Sequence, residues 1–162
     1  MRPVVAVRAL ACASIAALLS GCSYLGITQD APRGVDGEVV QAGAAHVDAI
    51  KTGDCLNEPG SEEFETVGAI PCGEPHELEM FHAFNVTQGS LPDDAAWERI
   101  LDECYGAAFT EFAGIAYEDS GLDVFPFAPT DESWAFGDRK VQCLIGEATL
   151  EPVTGSLRGA AR

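Results

Sequence analysis

From Leu78 to Val86 the chain alternates, placing Leu78, Met80, His82, Phe84 and Val86 on one side. Glu77, Glu79 and Asn85 fall on the other, with Phe81 and Ala83. Successive strand side chains point to opposite faces, so this period of two predicts a β-strand. Its mixed second side predicts a sheet covered on one face and partly wet on the other. Phe64–Ile70 has strand composition and ends at Pro71. Asp123–Ala128 is apolar but interrupted by Pro126, which predicts an edge strand, and Lys140–Ile145 is the last strand. Between these strands the period changes. Trp97, Leu101, Cys104, Ala108 and Phe112 recur at helical spacing, widened by Ile100 and Phe109, while Glu98, Arg99, Asp102 and Glu103 face outward. Ser90-x-x-Asp93 has the form of a capping box, Asp93 and Asp94 suit the positive end of a helix, and Gly114 is its stop.

Strands grouped around one long helix predict an α+β domain, a small antiparallel sheet packed on one main helix. It spans about residues 45–150. Residues 22–44 mix Gly, Gln, Asp, Pro and small residues without periodicity and read as a flexible tether. Residues 151–162 are small, polar and slightly basic and read as a mobile tail.

The first 21 residues add an address. Arg2 and Arg8 precede Ala9–Leu19, an almost wholly small or apolar run. That run is too short for a bilayer-spanning helix, which needs about 20 apolar residues, and suits the core of a signal peptide. It ends at Leu19-Ser20-Gly21-Cys22, which resembles a bacterial lipobox. The expectation is a lipoprotein cleaved before Cys22, carrying palmitate there and facing outward from the cell membrane.

Charge limits the partners. Loss of residues 1–21 removes Arg2 and Arg8 from 9 basic residues and leaves all 26 acidic ones, making a net charge of −17 more negative still. Nucleic acid and anionic lipid are bound through basic patches, so neither is expected as a ligand, and the acyl chains alone hold the membrane. The acidity serves solubility or a cationic partner. Because no Asp-rich calcium loop with its glycine and terminal glutamate occurs, solubility is the favoured reading.

Cys12 leaves with the signal peptide and Cys22 takes lipid, so Cys55, Cys72, Cys104 and Cys143 remain. Four cysteines in an exported chain imply two disulfides with three possible connectivities. The expected pairs are Cys55–Cys72, neighbours in sequence, and Cys104–Cys143, helix to strand. Closing these loops contributes at most about 3 and 4 kcal/mol. A four-cysteine zinc site and a redox-catalytic pair both want a C-x-x-C element, which is absent.

Candidate chemistry centres on Pro71-Cys72-Gly73-Glu74-Pro75-His76. His76 and His82 are spaced H-E-x-x-x-x-H, whereas zinc proteases need two histidines four apart on a helix. Along a strand they lie about 20 Å apart, too far to grip one ion. The ordinary reading has His76 capping its loop and His82 among apolar neighbours. Ser133, Ser156 and Thr130 sit in no nucleophile elbow, and there is no Gly-rich phosphate loop. No metal, cofactor or catalytic residue is expected. Trp134 with Phe125, Phe127 and Phe136 either lines a groove for sugars or peptides or covers the open end of the core.

Several stretches together resemble the septum-formation proteins of actinobacterial cell envelopes. They are Val67–Ile70 into Pro71-Cys72-x-Glu-Pro-His76-Glu77, the helical Cys104, the Pro129–Leu144 block with Trp134, Gly137, Asp138, Arg139 and Cys143, and Thr154–Gly159. Gly53-Asp54-Cys55 fits the family's opening. The resemblance implies a role at the division septum or in envelope assembly, and carries over framework residues but no catalytic ones. The expected function is a non-enzymatic, lipid-anchored domain binding envelope or division proteins or cell-wall material, with His76, Phe127, Trp134, Asp138 and Arg139 as the candidate surface. The alternatives are a ligand-binding or sensing module at the Trp134/Phe127 surface and an envelope hydrolase using His76 or His82.

Overall fold

A computed structural model describes residues 30–61 and 64–162. The signal peptide, Cys22 and the first part of the tether lie outside the described residues. Six strands, β1 (Gly43–His46), β2 (Cys55–Leu56), β3 (Thr66–Ile70), β4 (Leu78–Asn85), β5 (Leu122–Phe127) and β6 (Lys140–Glu147), form one antiparallel sheet in the order β1-β3-β2-β4-β6-β5. Helices α1 (Asp94–Tyr105) and α2 (Ala107–Ala113) follow β4, and a short α3 (Asp131–Ala135) precedes β6. The α+β class, the main helix and both disulfides are as expected. Cys55–Cys72 and Cys104–Cys143 bridge Cα atoms 5.2 and 5.5 Å apart. β5 is an edge strand, so Pro126 costs the sheet no interior hydrogen bond.

The alternation along β4 breaks at a bulge. Met80 pairs with Leu144 and His82 with Cys143, leaving Phe81 extra. Leu78, Met80 and Ala83 therefore pack in one cluster with Leu56, Val67 and Leu144. Phe81, Phe84 and Val86 join the other, with α1, α2, Val141, Cys143 and Ile145. The single apolar face expected for Leu78–Val86 is thus divided between two faces, because an inserted residue shifts the side-chain phase by one. Both faces are covered over Leu78–Phe81, and exposure is confined to the end of the strand, where Asn85 is open to solvent.

Asp93, and not Ser90, caps α1, accepting a hydrogen bond from Ala96 N at 2.8 Å. The helical run is interrupted at Gly106 (φ −91°, ψ −135°) and ends at Gly114, whose φ of +82° is cheap only for glycine. Both appendages are shorter than expected. Ala31 and Val39 are buried, Arg33 bridges Val39, and the Arg33 guanidinium holds Asp54 through two bonds of 2.7 and 2.6 Å. The tether expected over 22–44 therefore gives way to packed chain by Ala31.

The tail expected to be mobile over 151–162 is instead clasped. Val153 pairs with His76, Gly155 N donates to Cys72 O, Gly159 N to Phe112 O and Ala161 N to Ala113 O. Leu157 is 3% exposed in the helix-side cluster, and Arg158 lies over the Phe112 ring. Its small residues allow close approach of backbones, a long-range effect that composition alone hides. Truncating a buried leucine costs about 2–5 kcal/mol. Leu157→Ala should therefore lower the urea midpoint by that equivalent; a mobile tail would leave the midpoint unchanged.

Candidate functional site

Two places gather polar side chains in unusual settings. The first is an open groove of about 1280 Å³ at the end of the sheet near α3. Thr130 and Ser133 form a reciprocal capping box that starts α3. Ser133 Oγ donates to Asp138 Oδ2 at 2.9 Å, and Asp138 Oδ1 accepts from Lys140 N, so the turn after the helix is fixed. Phe64 and Phe127 meet edge to face, centroids 4.7 Å apart, and line the groove. Phe136 stands at its edge, 87% exposed. Asp48, Glu65, Asp131, Glu132 and Asp138 contribute five carboxylates, while Lys140 donates its ammonium to Asp48 O at 3.0 Å.

This placement divides the expected aromatic surface. Phe127 and Asp138 line the groove, but Trp134 is 7% exposed and packed edge-on against Trp97. Arg139 stacks over the Trp134 ring at 3.6 Å and donates to Trp134 O. Trp134 and Arg139 therefore seal the core beneath α3.

The second place is the corner formed by Cys72 and His76. His76 is fully buried, pinned by its backbone to Val153. Its Nδ1 lies 2.8 Å from Glu74 O, and because a carbonyl only accepts, Nδ1 carries the hydrogen. Nε2 has no hydrogen-bond partner among the described residues. The expectation that His76 caps its own loop fits the Nδ1 contact. His82 lies elsewhere, partly exposed, its ring stacked on Phe84 as the apolar-neighbour reading expects, with Nε2 3.1 Å from Glu103 Oε1. The bulge and the helix surface put it there.

Glu79 is the residue that the alternation of β4 assigned to a wet face. It is 1% exposed. Ser156 Oγ donates to its Oε1 at 2.7 Å and Leu157 N to its Oε2 at 2.6 Å. Burial holds its pKa above the ordinary glutamate value, outweighing those two hydrogen bonds. Cys55 is its direct partner across β2 and β4, and one ligand-type atom each from Cys55, His76 and Glu79 lies within 4.8 Å of the others. The histidine pairing weighed for metal binding, His76 with His82, is not formed; His76 stands with Cys55 and Glu79. A signal for Glu79 existed in the sequence, since Phe81, two residues on, is a poor tenant of a wet face.

The fold and its two stapled corners define a disulfide-braced α+β domain, and among the described residues no helix is long and apolar enough to cross a membrane. A family model described as septum formation matches residues 25–144, so the chain belongs to the septum-formation family. No curated protein and no solved structure matches it. Membership connects the chain with division or the envelope.

The raised pKa of Glu79 gives a pH test. A carboxyl whose folded pKa lies above its unfolded value, about 4.3, binds more protons when folded. Its contribution is present at low pH and is lost as pH rises from about 4.3 through the folded value. Glu79→Gln removes that titration and keeps an acceptor for Leu157 N. Subtracting the urea-derived stability of Glu79→Gln from that of wild type should therefore give a difference that falls across this window and is flat above it. A difference rising with pH would reverse the assignment.

Proposed function

We propose that the chain is a non-enzymatic domain, lipid-anchored at Cys22 on the outer face of the cell membrane, that binds a protein partner during envelope growth or septum formation. The observation that carries this reading is the groove beside α3, open, aromatic-lined and rimmed by five carboxylates. Protein interfaces are anchored by aromatic side chains set in a polar rim, and complementary charge steers encounter. The matching partner segment is basic and carries an apolar anchor for Phe127 and Phe136. Family membership supports division or envelope work as the setting, and the Leu19-Ser20-Gly21-Cys22 motif supports the anchor.

Cell-wall material and a small sensed ligand are the competing occupants. The groove's openness favours an extended segment over an enclosed small molecule, and Trp134 is withdrawn from it. A hydrolase acting through His76 has less support, since that ring is fully enclosed.

A fluorescent fusion should concentrate at the septum of dividing cells, and in-cell cross-linking should capture a basic partner. Glu132→Lys combined with Phe136→Ser should leave the melting temperature near that of wild type, both residues being exposed. Capture should fall roughly tenfold or more, the loss of about 1.4 kcal/mol expected of an interface anchor. An even distribution around dividing cells, with no septal defect on deletion, would sink the division role. Radiolabelled palmitate should mark the wild type and not Cys22→Ala; equal labelling would refute anchoring at that residue.

A further inference from the structure

We propose that the Cys55–Cys72 disulfide is a thiol-operated latch, and that opening it creates a zinc-type metal site from Cys55, His76 and Glu79. The inference is independent of the groove and its partner.

The three side chains already converge, their ligand-type atoms within 4.8 Å of one another. Tetrahedral zinc takes sulfur at about 2.3 Å and nitrogen or oxygen at about 2.0–2.2 Å, so side-chain adjustment closes the set once Cys55 is free to turn. His76 is already oriented as a ligand, since Nδ1–H donates to the Glu74 carbonyl and leaves the buried Nε2 without a hydrogen-bond partner among the described residues. Outer-sphere bonds of that kind orient metal-bound histidines. Ser156 and Leu157 fix the Glu79 carboxylate in the same way. Charge also balances, since one thiolate and one carboxylate neutralise a divalent ion in a buried place. With the disulfide closed, Cys55 offers no thiolate and the set is incomplete.

The two disulfides differ in access. Cys104 and Cys143 are both fully buried in the helix-side core. Cys55 is fully buried too, but Cys72 is only partly so, and both border a surface pocket of about 420 Å³. An external dithiol reaching through that pocket attacks Cys72 Sγ, the S–S bond breaks, and Cys55 leaves as a thiolate beside His76. The reductant's second thiol resolves the mixed disulfide. The dithiol ends as a disulfide, having supplied two electrons; one proton stays on Cys72 and the other passes to solvent as the metal takes the Cys55 thiolate.

Cobalt(II) is the probe. Cys72→Ser, purified without reductant, leaves Cys55 as a thiol while Cys104–Cys143 stays closed. Cobalt should give this variant a thiolate-to-metal charge-transfer band and the intense visible bands of four-coordinate cobalt, both bleached by zinc. Oxidised wild type should give neither. Adding His76→Ala or Glu79→Gln to Cys72→Ser should weaken cobalt binding at least about tenfold. A folded Cys72→Ser protein without the charge-transfer band, or an unweakened band in the His76→Ala double variant, overturns the proposal. Should Cys72→Ser be unfolded without metal, zinc must restore its native circular dichroism and fail to do so with His76→Ala added; any other result also overturns it.

Discussion

The pairing of β4 with β6, carrying a bulge at Phe81, is the constraint on which the rest of the molecule depends. Before the bulge, Leu78 and Met80 supply the cluster on the face opposite the helices, while Glu79 points to the helix side with its partner Ile145. After it, Phe84 and Val86 supply the helix side, a change of phase that a regular strand of the same sequence cannot make. One central strand thus builds both cores. Cys143 lies opposite His82 on β6, so the bond to Cys104 ties the helix to the strand pair that sets the phase. Gly146 shares in this: it faces Leu78, and a Cβ there would collide with the Glu77 carbonyl.

Local signals were legible and non-local ones were not. Trp97, Leu101, Cys104 and Phe112 announced the helical run because amphipathic spacing is carried by the sequence itself. Pro126 announced an edge because a missing donor has no place inside a sheet. The bulge left no mark, since Phe81 and His82 look like ordinary members of an alternation. The order of the tail was hidden for a related reason. Residues 154–162 lack apolar period, and their order comes from burial of Leu157 and from bonds to Cys72, Glu79, Phe112 and Ala113 far away in sequence.

The candidate sites divide in the same manner. Phe127 was found as an aromatic grouped with Trp134 and Asp138 from the Pro129–Leu144 block, yet Trp134 itself went to the core, because Trp97 and Arg139 pack against it. The groove's negative rim joins Asp48 and Glu65 to Asp131 and Glu132, residues brought together only by the folded sheet and α3. An acidic composition read as general solubility thus contains a local concentration. That concentration has a direction, and so can select a partner by charge.

The corner at His76 makes a stricter demand on explanation. Its backbone bridge to Val153 needs no imidazole, and a buried acceptor without a partner costs roughly 1–3 kcal/mol. Glu79 does have a structural role, holding Ser156 and Leu157, but an uncharged glutamine offers an acceptor without the burden that raises the glutamate's pKa. The fold therefore accounts for the shape of both residues and leaves over one unpartnered ring nitrogen and one buried carboxyl group. Those two groups lie beside the sulfur of Cys55, and together they are the donor set that a soft or borderline cation takes. Sites where local rules are broken against stability are where function concentrates, and the unpartnered His76 nitrogen and the buried Glu79 carboxyl break them together beside the Cys55–Cys72 bridge.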